Sequence, residues 1–163
     1  MEDGKNMTGT GIELLPMKTV IKFYVEPKHY KSGAYNLFCL DCNWCNEQYD
    51  KLYLQEGYLN PDRNYVPGGA KKLASPQNEG EREATLKDIL DVLKLHDCHR
   101  TNLGVHVRCG KYGLKFETYE EEIHFLQQEL LKAKDVLEDY LRQEDYEAEI
   151  HLYLFDREGM QEL

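Results

Sequence analysis

From Thr19 the chain alternates. Ile21, Phe23 and Val25 fall on one side and Lys22, Tyr24 and Glu26 on the other, the period of a half-buried strand, which Pro27 ends. After Lys31-Ser32-Gly33, residues Ala34 to Leu40 form a second strand candidate, and the two together suit a hairpin with a long connection. Residues 57–84 hold Gly57, Pro61, Pro67-Gly68-Gly69, Ser75-Pro76 and Asn78-Glu79-Gly80, a density of breakers that predicts a long irregular loop. Thr85, an N-cap residue type, then precedes Leu86, Ile89, Leu90 and Leu93, the spacing of a short amphipathic helix.

Further on, Val105, Val107 and Cys109 alternate with His106 and Arg108. Leu114 and Phe116 alternate with Lys115 and Glu117 beyond Gly110-Lys111-Tyr112-Gly113, so a β-hairpin is expected with His106 and Arg108 on its outward face. Thr118 and Glu121 form a capping box that starts a helix at once. Ile123, Leu126, Leu130, Ala133, Leu137 and Tyr140 then make one long apolar stripe, and Ile150, Leu152 and Leu154 alternate in a last strand. Residues 1–16 carry no period and read as a tail or extension. The expected organisation is a single α+β domain over 17–163: a small antiparallel sheet packed by one long C-terminal amphipathic helix and one short helix, with the long loop at 57–84.

Length and composition agree with that plan. The chain has 163 residues, 41% hydrophobic and 31% charged, enough for one core, and no apolar run reaches the roughly 18 residues of a membrane span. Glu2 and Asp3 stand where a secretory signal would be basic, so the expected location is cytoplasmic, with no membrane partner.

Charge sharpens the functional reading. The net charge is −10, and residues 119–163 hold 14 acids against 4 bases, whereas the chain before them is balanced. Direct nucleic-acid binding is disfavoured, because it needs clustered Lys and Arg. A protein partner with a basic surface fits better. The leading expectation is a small, acidic, non-enzymatic protein-binding module. As an inhibitor it would mimic nucleic acid and occupy the basic nucleic-acid-binding surface of another protein, since carboxylates and phosphates answer to the same field. Its expected contacts are Glu121, Glu122, Asp135, Glu138, Asp139, Glu144 and Asp145, with Tyr49, Tyr53, Tyr58 and Tyr65 around the start of the long loop. Exposure of the long apolar stripe would instead favour a homodimer.

The cysteines supply the alternative. Five cysteines without an export signal argue against a disulfide framework. Cys39, Cys42 and Cys45 are three apart, a spacing whose thiolates can converge on zinc, and Cys98 with His99 would complete a tetrahedral set. Tyr49 stands where a ferredoxin-type run would place its fourth cysteine. Such a zinc-dependent module would bind nucleic acid or hydrolyse a substrate, with Asp41, Glu47 or Asp97 as the carboxylate base. His106 and Arg108 on the hairpin's outward face, with Lys111 and Lys115, would form a small cationic patch able to touch phosphate. The zinc-deaminase pattern, His-Glu-x-x-His, the glycine-rich phosphate loops and the Gly-x-Ser-x-Gly elbow are all absent. No catalytic residue is assigned.

Overall fold

The protein is described from a computed structural model covering residues 18, 20, 21, 28–41, 43 and 46–163. The 1–16 segment, most of the strand expected over 19–26, and Cys42 and Cys45 lie outside the described residues.

Among the described residues nine elements follow in order: β1 (Tyr35–Cys39), α1 (Asn46–Glu56), β2 (Asp62–Val66), α2 (Lys71–Ala74), α3 (Glu79–Leu95), β3 (Arg100–His106), α4 (Tyr119–Gln143), β4 (Glu149–Asp156) and β5 (Gly159–Glu162). The strands form one sheet in the order β2-β1-β3-β4-β5. The α+β content and the long C-terminal helix are as expected, but the sheet is mostly parallel: β1 runs parallel to both β2 and β3, β3 parallel to β4, and only β5 is antiparallel. Parallel neighbours need crossovers long enough to hold a helix, and α1, α2 with α3, and α4 supply them.

Each face of the sheet has its own core. On one, Leu86, Ile89 and Leu93 of α3 and Leu126, Leu130, Ala133 and Leu137 of α4 pack on Leu37, Leu103, Val105, Leu152 and Leu154. On the other, Tyr49, Leu52 and Tyr53 of α1, spaced for one helical face, close over Phe38, Tyr153 and Phe155. Burial on both sides takes every residue of β1 and all but the first of β3 out of solvent, polar side chains included.

Three expectations are corrected here. The supposed loop at 57–84 contains β2, α2 and the start of α3. Its helix begins earlier than Thr85, because Asn78 accepts the Glu81 N–H as the N-cap, and Thr85 instead bonds back to the Glu81 carbonyl from inside the helix. The hairpin at 105–116 does not form: Val107 still bonds to Phe155 of β4, after which the chain turns through 108–118 into α4. The capping box of Thr118 and Glu121 is present with both of its bonds.

Candidate metal centre

The crossovers decide where a site can lie. From β1 the chain leaves towards β2, and from β3 it leaves the opposite way towards β4, so the connections diverge at the carboxyl ends of these two adjacent strands. Such a switch point opens a crevice, the usual binding place of a parallel sheet. Here Cys39 is the last residue of β1, His106 the last of β3, and Cys109 follows three residues later.

These three side chains converge. One ligand atom from each of Cys39, His106 and Cys109 lies within 4.8 Å of the others, and the two sulfurs are 4.0 Å apart. A tetrahedral zinc with Zn–S of about 2.3 Å spaces its sulfurs about 3.8 Å apart, so the pair is set for an ion with little further movement. Arg108, between His106 and Cys109, has φ of 55°, the left-handed turn that carries Cys109 back to the crevice. The carboxylate of Glu122 in the first turn of α4 accepts the Arg108 N–H and holds that turn.

The surroundings suit thiolates. The Gly68 N–H points at the Cys39 sulfur at 3.4 Å. That turn demands glycine: Gly68 has φ of 86° and Gly69 of 55°, and a Cβ on Gly69 would stand 2.4 Å from the Gly104 carbonyl and 2.8 Å from the Cys39 nitrogen. The Cys109 thiol beside it, together with His106 and the N–H groups of Asp41 and Gly68, holds Cys39 below the ordinary thiol range although burial pushes the other way. Cys39 and burial in turn push Cys109 up. Burial opposes a charged imidazole, but the bonds of His106 to Cys39 and to the Val107 carbonyl, with the fields of Cys39 and Asp41, raise it above its usual value. Three electron-pair donors thus crowd around shared protons, which a divalent cation would replace.

His106 is also oriented for that task. Its Nδ1–H donates to the Val107 carbonyl at 2.8 Å, which fixes the ring and puts the ligating lone pair on Nε2. The centre opens into a cleft of about 250 Å3 bordered by Asp41, Gly68, Gly110 and Lys111. The Asn43 backbone N–H and side-chain amide both donate to Asp41 Oδ1, at 2.9 and 3.0 Å.

Of the expected ligands that lie among the described residues, only Cys39 belongs to this group. Cys98 is buried in the main core with its S–H directed at the Arg100 carbonyl, and the exposed His99 faces Asp97 and the Glu147 carbonyl. Both precede the first residue of β3, while Cys39 lies level with Val105. Five residues of strand, on the order of 16 Å, keep them from sharing an ion with Cys39. Asp97 pairs with Lys31. His106, expected on an outward face, is fully buried. The signal that reveals the missed ligands is His-x-x-Cys itself, at the end of an apolar strand.

The expected partner contacts divide. Asp135, Glu138, Asp139, Glu144 and Asp145 are exposed along and just beyond α4. Glu121 closes the capping box and Glu122 holds Arg108. Tyr49 and Tyr53 are 1% and 5% exposed, core residues of α1 and not a surface, and Tyr53 shares a hydroxyl hydrogen bond with Tyr65. Tyr58 packs at the edge of the same core.

No helix among the described residues is long and apolar enough to cross a membrane. No family model matches the chain. No curated protein matches it. Among solved structures it is similar to the β-carbonic anhydrase CafA of the fungal pathogen Aspergillus fumigatus, with 13% identity and a TM-score of 0.43 over 83% of this chain and 76% of that one; at those values the neighbour's activity does not transfer to this chain.

Proposed function

We propose that this protein is a zinc protein whose Cys39, His106 and Cys109 would hold one ion at the switch point, on the wall of the cleft. The observation that carries the reading is the convergence of two sulfurs and one imidazole from two strand ends on the wall of an open cleft. Two cysteines and a histidine are a soft, borderline set that suits zinc, and three protein ligands with an accessible fourth position are the pattern of catalytic sites. Zinc in such a set lowers the pKa of a water ligand to near 7 and supplies a nucleophile at neutral pH.

The chain's own residues shape the rest. The Gly68 N–H and the turn at Arg108 fix the sulfurs, and Val107 fixes the imidazole. Asp41, held by Asn43 at the cleft, is the residue that would orient a water there and accept its proton. A cleft of about 250 Å3 favours a small electrophile, so the reaction class is hydration or hydrolysis of a small carbonyl compound. Metal analysis and stopped-flow assays with carbon dioxide and p-nitrophenyl acetate test it. About one zinc per chain is expected, with turnover that falls at least about 100-fold in Asp41→Asn protein that keeps its zinc. Metal-free protein, purified without chelator and unable to take up added zinc, would overturn the reading.

A further inference from the structure

Residues 108–118 leave the metal centre and arch back to the start of α4, enclosing a second pocket of about 520 Å3. That size is typical of a small-molecule site. Phe116, Tyr119 and Phe125 give it an apolar wall, with Phe116 and Phe125 in ring contact at 5.3 Å. Arg108, Lys115 and Arg157 give it a cationic rim, and the Arg157 guanidinium lies 4.1 Å from the centre of the Tyr119 ring.

Charge makes this pocket unusual for the chain. In a protein of net charge −10, three cations gather at one opening, and among the described residues none of them is in an ion pair. Glu117 and Glu122 also border it, but Glu122 already accepts the Arg108 N–H. Aromatic walls with unpaired cations recognise a flat apolar body that ends in an anion. Cys109 and Gly110 border both this pocket and the metal cleft, so an occupant would sit directly beside the metal centre.

We infer that the pocket binds a small organic carboxylate with a ring-sized apolar body. This goes beyond the metal reading and does not depend on it, because none of the aromatic or cationic side chains that would hold the ligand is a metal ligand. The test is an NMR titration of the purified protein with phenylacetate and with its neutral counterpart phenylacetamide, following the Phe and Tyr ring signals. Saturable binding of phenylacetate is expected, with the amide at least about tenfold weaker and salt reducing only the carboxylate's affinity. The Lys115→Gln/Arg157→Gln double variant, changed only at exposed side chains, should lose about tenfold in affinity while its circular dichroism is unchanged. Equal binding of acid and amide, an unaltered double variant, or no saturable shift would each overturn the inference. Zinc content measured on the same sample separates the two proposals: phenylacetate binding without zinc refutes the metal centre alone, and zinc without phenylacetate binding refutes the pocket alone.

Discussion

The two ends of the sheet both collect cysteine, histidine and aspartate, yet they use them differently. At the amino ends of the strands, each polar group has its own protein partner: His96 and Tyr30 donate to Asp62 at 2.9 Å, Tyr146 donates to the Leu93 and Cys98 carbonyls, and His99 bonds the Glu147 carbonyl. At the carboxyl ends, Cys39, His106 and Cys109 point at one another around a common centre. The first arrangement is closed, with its donors and acceptors satisfied by protein neighbours. The second concentrates donors where an ion fits, and the lesson is that residue type says less about metal binding than whether the lone pairs are divided among neighbours or aimed at one point.

Exchanging single residues between the two ends gives the largest expected effect. Cys109→Ser protein should fall from about one zinc per chain to below about 0.1, whereas Cys98→Ser, which keeps a donor to the Arg100 carbonyl, should retain its zinc; elemental analysis of both decides it. A smaller effect comes from opening the closed network. Asp62→Ala leaves His96 and Tyr30 without their acceptor, and a loss of about 1–3 kcal/mol in urea unfolding is expected, with zinc content unchanged. Loss of zinc in this variant would mean that the two ends are coupled.

The smallest effect depends on pH. The bond to the Glu147 carbonyl, with smaller help from Asp97, raises His99 above its ordinary value of 6.5, although burial opposes it. A folded-state pKa above the unfolded one stabilises the protein fully below about 6.5, and that gain is lost as pH rises through the folded value. His99→Ala should therefore cost stability at about pH 5.5 and none of this component at about pH 8.5, read from paired urea titrations. An equal cost at both pH values would assign His99 a packing role, through its stack on Tyr146.

Local signals carried part of the fold. The breakers around Ala34–Leu40 frame β1, Thr118 and Glu121 start α4 by a short-range bond pattern, and Glu149–Asp156 includes the alternating Ile150, Leu152 and Leu154. The parallel pairing left no such mark. Asp62-Arg63-Asn64-Tyr65-Val66 has no apolar period, because β2 is an edge strand with mostly half-exposed residues. In β3 the period-two reading sent His106 outward, but a strand covered on both faces buries every position from Thr101 to His106. Cys39 stood out in sequence through its spacing to Cys42 and Cys45. Its partners in space are 67 and 70 residues further on, brought there by the β1–β3 pairing, which no local pattern encodes.

That separation also orders events during synthesis. Cys39 leaves the ribosome long before His106 and Cys109, and a nascent chain ending at Leu95, with α1, β2 and α3 already made, holds only one of the three donors. Closing a segment of this length costs entropy that β3 recovers only when it docks beside β1. Ion capture by this trio would thus be a late event, and chelator-resistant zinc would time-stamp the completed fold.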